Sequence, residues 1–199
     1  MLSTLSINIY SNELNLKGGG NLFGKAKSDY VEEVWNGHGN RKNILNPGLT
    51  LGLNYLFNLK KIDLLIGPYI NFSIKNVKSI VNEKFSATSF GIMSKKYIDK
   101  NIYFLGGLGL NTLYETGTAK FSISKGDLLV DTSTTGGSSY FIGGGYKIHD
   151  KLSLELLYQH LSGKLLHSGI NEYGRYSHRD DITIDSVEIA LNYQLKLLK

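Results

Sequence analysis

Apolar and polar residues alternate with a period of two in segment after segment of this chain, the mark of extended strands with two chemically different faces. In "GLTLGLNYLF", Leu49, Leu51, Leu53, Tyr55 and Phe57 share one face while Thr50, Gly52 and Asn54 share the other. "KIDLLIGPYINFSIK" sets Ile62, Leu64, Ile66, Ile70, Phe72 and Ile74 against Asp63, Gly67, Asn71, Ser73 and Lys75. "IYFLGGLGLNTLYE", "SYFIGGGYKI" and "DSVEIALNYQLKL" repeat the arrangement. "LSLELLYQHLSG" places Leu152, Leu154, Leu156 and Tyr158 on a face that ends in His160 and Ser162. Helical period fits none of these segments.

A first strand around residues 4–18 and a loosely alternating fourth around residues 84–96 complete a set of eight. Apolar parity slips between Ile9 and Leu14, which predicts a bulge, and Pro68 removes a ladder donor from the third strand. Link lengths alternate as well. "NLKK", "IDKN" and "HDK" are tight turns after strands two, four and six, whereas the links after strands one, three, five and seven run roughly ten to 28 residues. All the short turns therefore lie at one end. An even number of antiparallel strands with short turns at one end and long loops at the other is the plan of a transmembrane barrel.

Composition agrees. The 199 residues suit one domain over 1–199, and 23 glycines, 13 tyrosines, eight phenylalanines and two prolines favour strands over helices. Cysteine is absent, so disulfides and thiolate metal sites are excluded. No run of 18 apolar residues is present, which excludes an ordinary membrane helix but not a membrane strand. The net charge of +5 comes from dispersed lysines and gives no nucleic-acid footprint. "MLSTLSINIY" already alternates, so export to an outer membrane implies a signal peptide already removed.

Alternation alone does not say which face is outside. Gly52, Gly67, Gly107, Gly109, Gly143 and Gly145 fall on the polar face, where the narrow interior of an eight-stranded barrel needs small residues. Asp63, Glu155 and Glu188 share those faces with Lys75, Lys147 and Lys196 and are expected to pair across a packed, polar lumen. Tyr55, Tyr146, Tyr158 and Tyr193 lie near strand ends on the apolar face, as an interfacial girdle requires. The expected fold is an all-β, eight-stranded, antiparallel up-and-down transmembrane barrel. "GGGYKIHDKLSLELLYQH" resembles the hairpin-and-strand pattern of small bacterial outer-membrane barrels of the OmpA, OmpX and opacity-protein kind, which implies the bacterial outer membrane. The end "YQLKLLK" departs from their usual terminal aromatic residue.

With the apolar face outward, His160 and Ser162 lie outside strand seven, near the long-loop end. Counting back along strand eight from Leu197 brings Asp185 to the same face and end. A serine nucleophile needs a base, and the base needs an acid to fix its tautomer and to stabilise imidazolium. This set resembles the outer-membrane lipid A 3-O-deacylase family, in which a His-x-Ser-Asn motif on strand seven meets a glutamate at the start of strand eight. The resemblance implies His160 as base, Ser162 as nucleophile and Asp185 as orienting acid. Gly163 stands where that family has the asparagine of the oxyanion hole, and its backbone N–H is the candidate substitute. Polar residues just above the hydrocarbon equally account for His160 and Ser162 without chemistry.

"YGRYSHRDD" offers Tyr173, Arg175, Tyr176 and Arg179 as a loop patch for a host or extracellular protein, a glycan or a lipopolysaccharide phosphate, although a solvated loop has the same composition. His38, His149, His167 and His178 have no metal-ligand spacing, and the glycine runs lack a phosphate-loop Gly-Lys-Ser/Thr, so no metal or cofactor is expected. The leading sequence reading is a monomeric, noncatalytic surface or envelope protein whose long external loops make contacts, surrounded by outer-membrane lipid and lipopolysaccharide. The alternatives are a lipid A esterase using Ser162, His160 and Asp185, and a soluble lipocalin-like barrel binding a small hydrophobic ligand.

Overall fold

The computed structural model describes residues 13–28, 44–59, 61–78, 83–116, 121–123, 126–128, 131–171 and 174–195. Its strands are β1 (Glu13–Ser28), β2 (Ile44–Leu59), β3 (Leu64–Lys78), β4 (Glu83–Tyr97), β5 (Ile102–Thr116), β6 (Phe121–Ile123), β7 (Gly126–Leu128), β8 (Asp131–Thr135), β9 (Gly137–His149), β10 (Leu152–Asn171) and β11 (Gly174–Leu195). The sheet runs β11-β1-β2-β3-β4-β5-β9-β10, and β10 pairs with β11 to close it. Every pairing is antiparallel. β8 continues the pairing of β9 along β10, from Lys164↔Thr135 to Ser168↔Asp131, so the barrel has eight staves. β6 and β7 form a separate hairpin.

The first stave runs ten residues past the end that the sequence predicts. "GGGNLFG" is inside β1, and the bulge falls between Asn21 and Phe23. Glycine carries no hydrophobic signal, yet its backbone pairs normally, and Gly18 is held between Leu191 and Leu51. Residues 1–12 are outside the described part, Ile9 among them. The long links are also shorter than expected. β3 and β4 are separated by residues 79–82 alone, and β10 and β11 stay paired out to Asn171↔Gly174. Beyond the barrel wall both faces of a strand meet water, so pairing continues where alternation fades.

Side-chain directions settle which face is outside. Leu51, Phe72, Ile92, Phe104, Leu108, Ile142, Leu156 and Leu191 are exposed on the exterior, Leu108 to 72%. A continuous apolar outer wall suits hydrocarbon rather than water, and it is the reverse of the soluble lipocalin-like alternative. Tyr114, Tyr140 and Tyr158 project outward toward the long-link end, and Tyr146 and Tyr193 toward the short turns. Pro68 is accommodated where the β2–β3 ladder lapses between Asn54↔Tyr69 and Phe57↔Ile66.

The lumen is closed, and it is only partly polar. Leu45, Val77, Phe85, Leu113, Leu161, Ile182 and Ile184 form an apolar cluster toward the long links. Leu56, Leu65, Tyr69, Met93, Tyr103, Leu105, Phe141 and Leu157 form another toward the short turns. Between them lie Thr50, Asn71, Ser73, Lys75, Ser89, Gln159, Ser186 and Glu188, all buried. A uniformly polar filling is thus corrected: β2, β3, β5, β10 and β11 turn leucines or isoleucines inward beyond the middle layer, and β4 and β9 turn in Phe85, Met93 and Phe141. Room for the rings comes from glycine. A Cβ on Gly145 would lie 2.2 Å from the Tyr103 ring, and one on Gly107 2.5 Å from the Phe141 ring.

Among the expected lumen charges, Lys75 and Glu188 pair with each other, and the Lys75 ammonium also donates to Ser186 Oγ at 3.1 Å. Glu155 accepts from Tyr103 Oη at 2.8 Å and Asn192 Nδ2 at 2.7 Å. Glu13 pairs with Lys95 at 2.9 Å. Asp63 is in the β2–β3 turn, exposed, with φ 49°, and Lys196 lies outside the described residues.

Candidate active site

Three neighbouring strands bring the candidate residues to one spot on the outer wall. Period-two alternation puts Tyr158, His160 and Ser162 on the exterior of β10. The ladder sets Asp185 of β11 directly opposite His160 on one side, and Tyr140 of β9 opposite it on the other. Cross-strand neighbours of this kind stand close enough for their side chains to meet.

His160 and Asp185 do meet. His160 Nδ1 lies 2.7 Å from Asp185 Oδ1, with the two side chains 21% and 34% exposed. Because a carboxylate only accepts, Nδ1 carries the proton and Nε2 presents a lone pair. Tyr158 Oη donates to the same Oδ1 at 2.6 Å, and the Tyr140 ring stacks on the imidazole at 4.8 Å and 20°. The imidazole is thus fixed in tautomer and in plane, as a general base requires. Lys25 of β1 stands opposite Asp185 on the strand's other flank and is exposed.

Ser162 is on the same face, but its hydroxyl is turned to β9. It donates to the Ser138 carbonyl at 3.1 Å, accepts from the Ser138 N–H at 3.0 Å, and lies 3.0 Å from Ser138 Oγ. Among the described residues no hydrogen bond joins Ser162 to His160. The structure therefore brings together two of the three sequence-predicted residues and turns the third toward Ser138. Gly163, by alternation, faces inward and is buried, and a Cβ there would meet Thr135 O at 3.0 Å.

Two depressions flank the set. A cleft of about 310 Å³, lined by Gly136, Gly137, Ser162, Lys164, Asp181 and Thr183 among others, opens toward the long-link end. On the other side an apolar groove of about 760 Å³ starts at Tyr158 and Val187 and runs toward the short turns. Its floor is Gly144, which the ladder places between Phe104 and Leu156. The walls are apolar because this face of the strands is the outer one.

The loop patch falls partly on a strand. Arg175 and Tyr176 belong to β11, opposite Ile170 and Gly169, Arg179 is exposed there, and Tyr173 is outside the described residues. His167 stands opposite His178 in the same hairpin. No group of three or more potential metal ligands occurs among the described residues. Sequence reasoning missed Tyr140 and Ser138, because their places depend on the β9–β10 register. Tyr158 was legible as a girdle tyrosine, and its bond to Asp185 was not.

No protein-family model matches the chain, and no curated protein matches it in sequence. Solved structures do match. The crystal structure of Neisserial surface protein A aligns with a TM-score of 0.55 at 9% identity, covering 94% of this chain and 99% of that one. The outer membrane protein AlkL, solved in lipid bilayers, aligns at 0.55 and 12% identity, covering 95% and 92%. Ail of Yersinia pestis, in complex with a heparin analogue, aligns at 0.56 and 13% identity, covering 94% and 100%. At such identities the likeness is one of fold. With the apolar exterior and closed, antiparallel wall, it makes this chain an outer-membrane-type β-barrel of eight strands.

Proposed function

We propose that the chain is an outer-membrane ester hydrolase that removes an acyl chain from lipid A or a lipid of similar build, with Ser162 as nucleophile, His160 as base and Asp185 as the acid that orients it. The observation that carries this reading is the 2.7 Å His160–Asp185 bond on the outer wall, two residues along the same face from Ser162. A histidine that merely sat at an interface would need neither a carboxylate on Nδ1 nor a ring stacked on its face. The deacylase resemblance supplies the substrate class. The apolar groove beside Tyr158 offers an acyl chain a path along the wall, and the cleft beside Ser162 opens to the headgroup side.

In the reaction, Ser162 Oγ turns to His160 Nε2, gives up its proton and bonds to the acyl carbon. The ester C–O bond then breaks, and the leaving alcohol takes the proton from His160. Water, deprotonated by the same imidazole, attacks the acyl-serine, releases the fatty acid and restores Ser162. Asp185 stays ionised and holds the imidazolium. Purified barrel incubated with lipid A in mixed micelles is expected to lower the lipid's mass by one acyl chain, and Ser162→Ala is expected to abolish this. No mass change with folded wild-type protein, or loss that survives Ser162→Ala, overturns the proposal.

A second reading rests on the paired extension of β10 and β11 to Asn171 and Gly174, which carries exposed Arg179 beyond the barrel wall. Such a hairpin supports a noncatalytic surface role in binding an external glycan or protein, and one of the fold's neighbours is solved with a heparin analogue. Binding of a sulfated glycan that Arg179→Ala weakens would favour it; no binding would set it aside.

A further inference from the structure

The outer face holds donors for which the proposed hydrolysis has an evident use. Acyl transfer develops negative charge on the ester oxygen, and N–H and O–H groups aimed at that oxygen lower the barrier. Gly163 offers no side chain and is buried in the wall. Ser138, across on β9, has a backbone N–H and a hydroxyl that both reach the present position of Ser162 Oγ, each at 3.0 Å.

This N–H is available because the wall is interrupted there. The β9–β10 ladder ends at Leu161↔Ser139 and resumes on β8 at Lys164↔Thr135, with Gly136 between the strands. In the gap the Ser138 N–H bonds to a side-chain oxygen instead of a backbone carbonyl. Glycine is required alongside: a Cβ on Gly137 would stand 2.3 Å from Ser162 O. From the lumen, Asn111 Nδ2 holds the Ser162 carbonyl at 3.0 Å, so the backbone is pinned independently of the hydroxyl.

We propose that Ser138 N–H and Oγ–H form the oxyanion site of this barrel, its two donors engaged in the resting state by Ser162 Oγ. The inference rests on the ester-hydrolysis reading. When Ser162 turns to His160, its oxygen leaves the point where the two donors converge. The substrate's carbonyl oxygen cannot take the vacated point itself, which is a bond length from Ser162 Cβ, and comes to lie just beyond it on the Ser138 side, where the two released donors turn to it. As Oγ bonds to the acyl carbon and its proton passes to His160 Nε2, the carbonyl π pair moves onto that oxygen, which accepts from Ser138. The pair returns to the carbon as the ester C–O bond breaks.

The test is steady-state hydrolysis of p-nitrophenyl laurate in mixed micelles by the full chain and its Ser138→Ala, Ser138→Thr and Ser162→Ala variants. Ser138→Ala retains the N–H and loses the hydroxyl, so kcat is expected to fall between about 10- and 100-fold with KM unchanged. Ser138→Thr, which keeps the donor, is expected to restore most of it and to show that the position tolerates change. Unchanged kcat in Ser138→Ala overturns the inference. So does a raised kcat, because Ser138 would then only be holding Ser162 away from His160. Turnover that survives Ser162→Ala overturns the hydrolase reading instead, whatever Ser138 does.

Discussion

Asp185→Asn probes the candidate site with the least change of shape. Its Oδ1 takes two bonds, from His160 Nδ1 at 2.7 Å and Tyr158 Oη at 2.6 Å. An asparagine that turns its amide nitrogen to Nδ1 drives the imidazole proton to Nε2 and removes the lone pair that Ser162 needs. One that turns its oxygen keeps the tautomer and loses the counter-charge for imidazolium. In a fully buried serine triad this substitution costs about 10⁴ in kcat, or roughly 5.5 kcal/mol of barrier. Asp185 is 34% exposed, so water replaces part of the lost field. A fall of about 10³ in kcat, near 4 kcal/mol, is therefore expected, with KM little changed. Initial rates of acyl release in mixed micelles measure it, with Asp185→Glu as a control that retains a carboxylate. A Asp185→Asn variant within threefold of wild type would refute a catalytic role for the His160–Asp185 bond.

Two further substitutions test the barrel around the site. Lys75 is fully buried against Glu188, so Lys75→Met strands a carboxylate between two apolar clusters and is expected to cost about 3–5 kcal/mol. Lys75→Met with Glu188→Leu is expected to recover most of it, read from urea-unfolding midpoints in detergent; a single-variant cost under about 1 kcal/mol would contradict the packed lumen. In the groove, a Cβ on Gly144 would find Tyr103 O at 3.5 Å and Phe104 Cδ1 at 3.8 Å, so Gly144→Leu fits the fold and fills the floor. KM for a long-chain ester is expected to rise about tenfold, equivalent to one or two buried methylenes, with a short-chain ester unaffected. An equal effect on both esters would show that the acyl chain lies elsewhere.

What was legible in the sequence followed from the period of two. Leu152, Leu154 and Leu156 foretold an outward wall, and counting along the last strand put Asp185 level with His160, as the ladder has it. Glycine interrupted the hydrophobic signal without interrupting the strand, which is why β1 runs ten residues past the end its alternation implied. The apolar clusters within the lumen were hidden for a related reason. Leu157 and Leu161 lie beside outward-facing neighbours on β10, and a run of apolar residues does not declare which member turns inward. Ser138 and Tyr140 reach the site through the β9–β10 register, which no single strand encodes. The direction of the Ser162 hydroxyl is a rotamer, and the sequence carries no trace of it.

The closed lumen also bears on where chemistry can occur. Two apolar clusters and a buried polar middle layer fill the inside, so a lipid reaches this barrel along its outer wall or at its external end. On that wall His160 and Ser162 stand where side chains change from Leu154, Leu156 and Tyr158 to Thr183, Lys164 and Asp181. Hydrocarbon below and polar groups above fix the height of an amphiphile, because displacing it by one ester length either exposes methylenes or drags headgroup into hydrocarbon. On the hydrolase reading, an ester joined directly to the headgroup is expected level with Ser162, and one carried part-way down an acyl chain is expected too deep for attack. The mass of the released acid in the lipid A assay reports which of the two was cut. A boundary of this sort selects substrate position by solvation alone, before any side chain of the cleft makes contact.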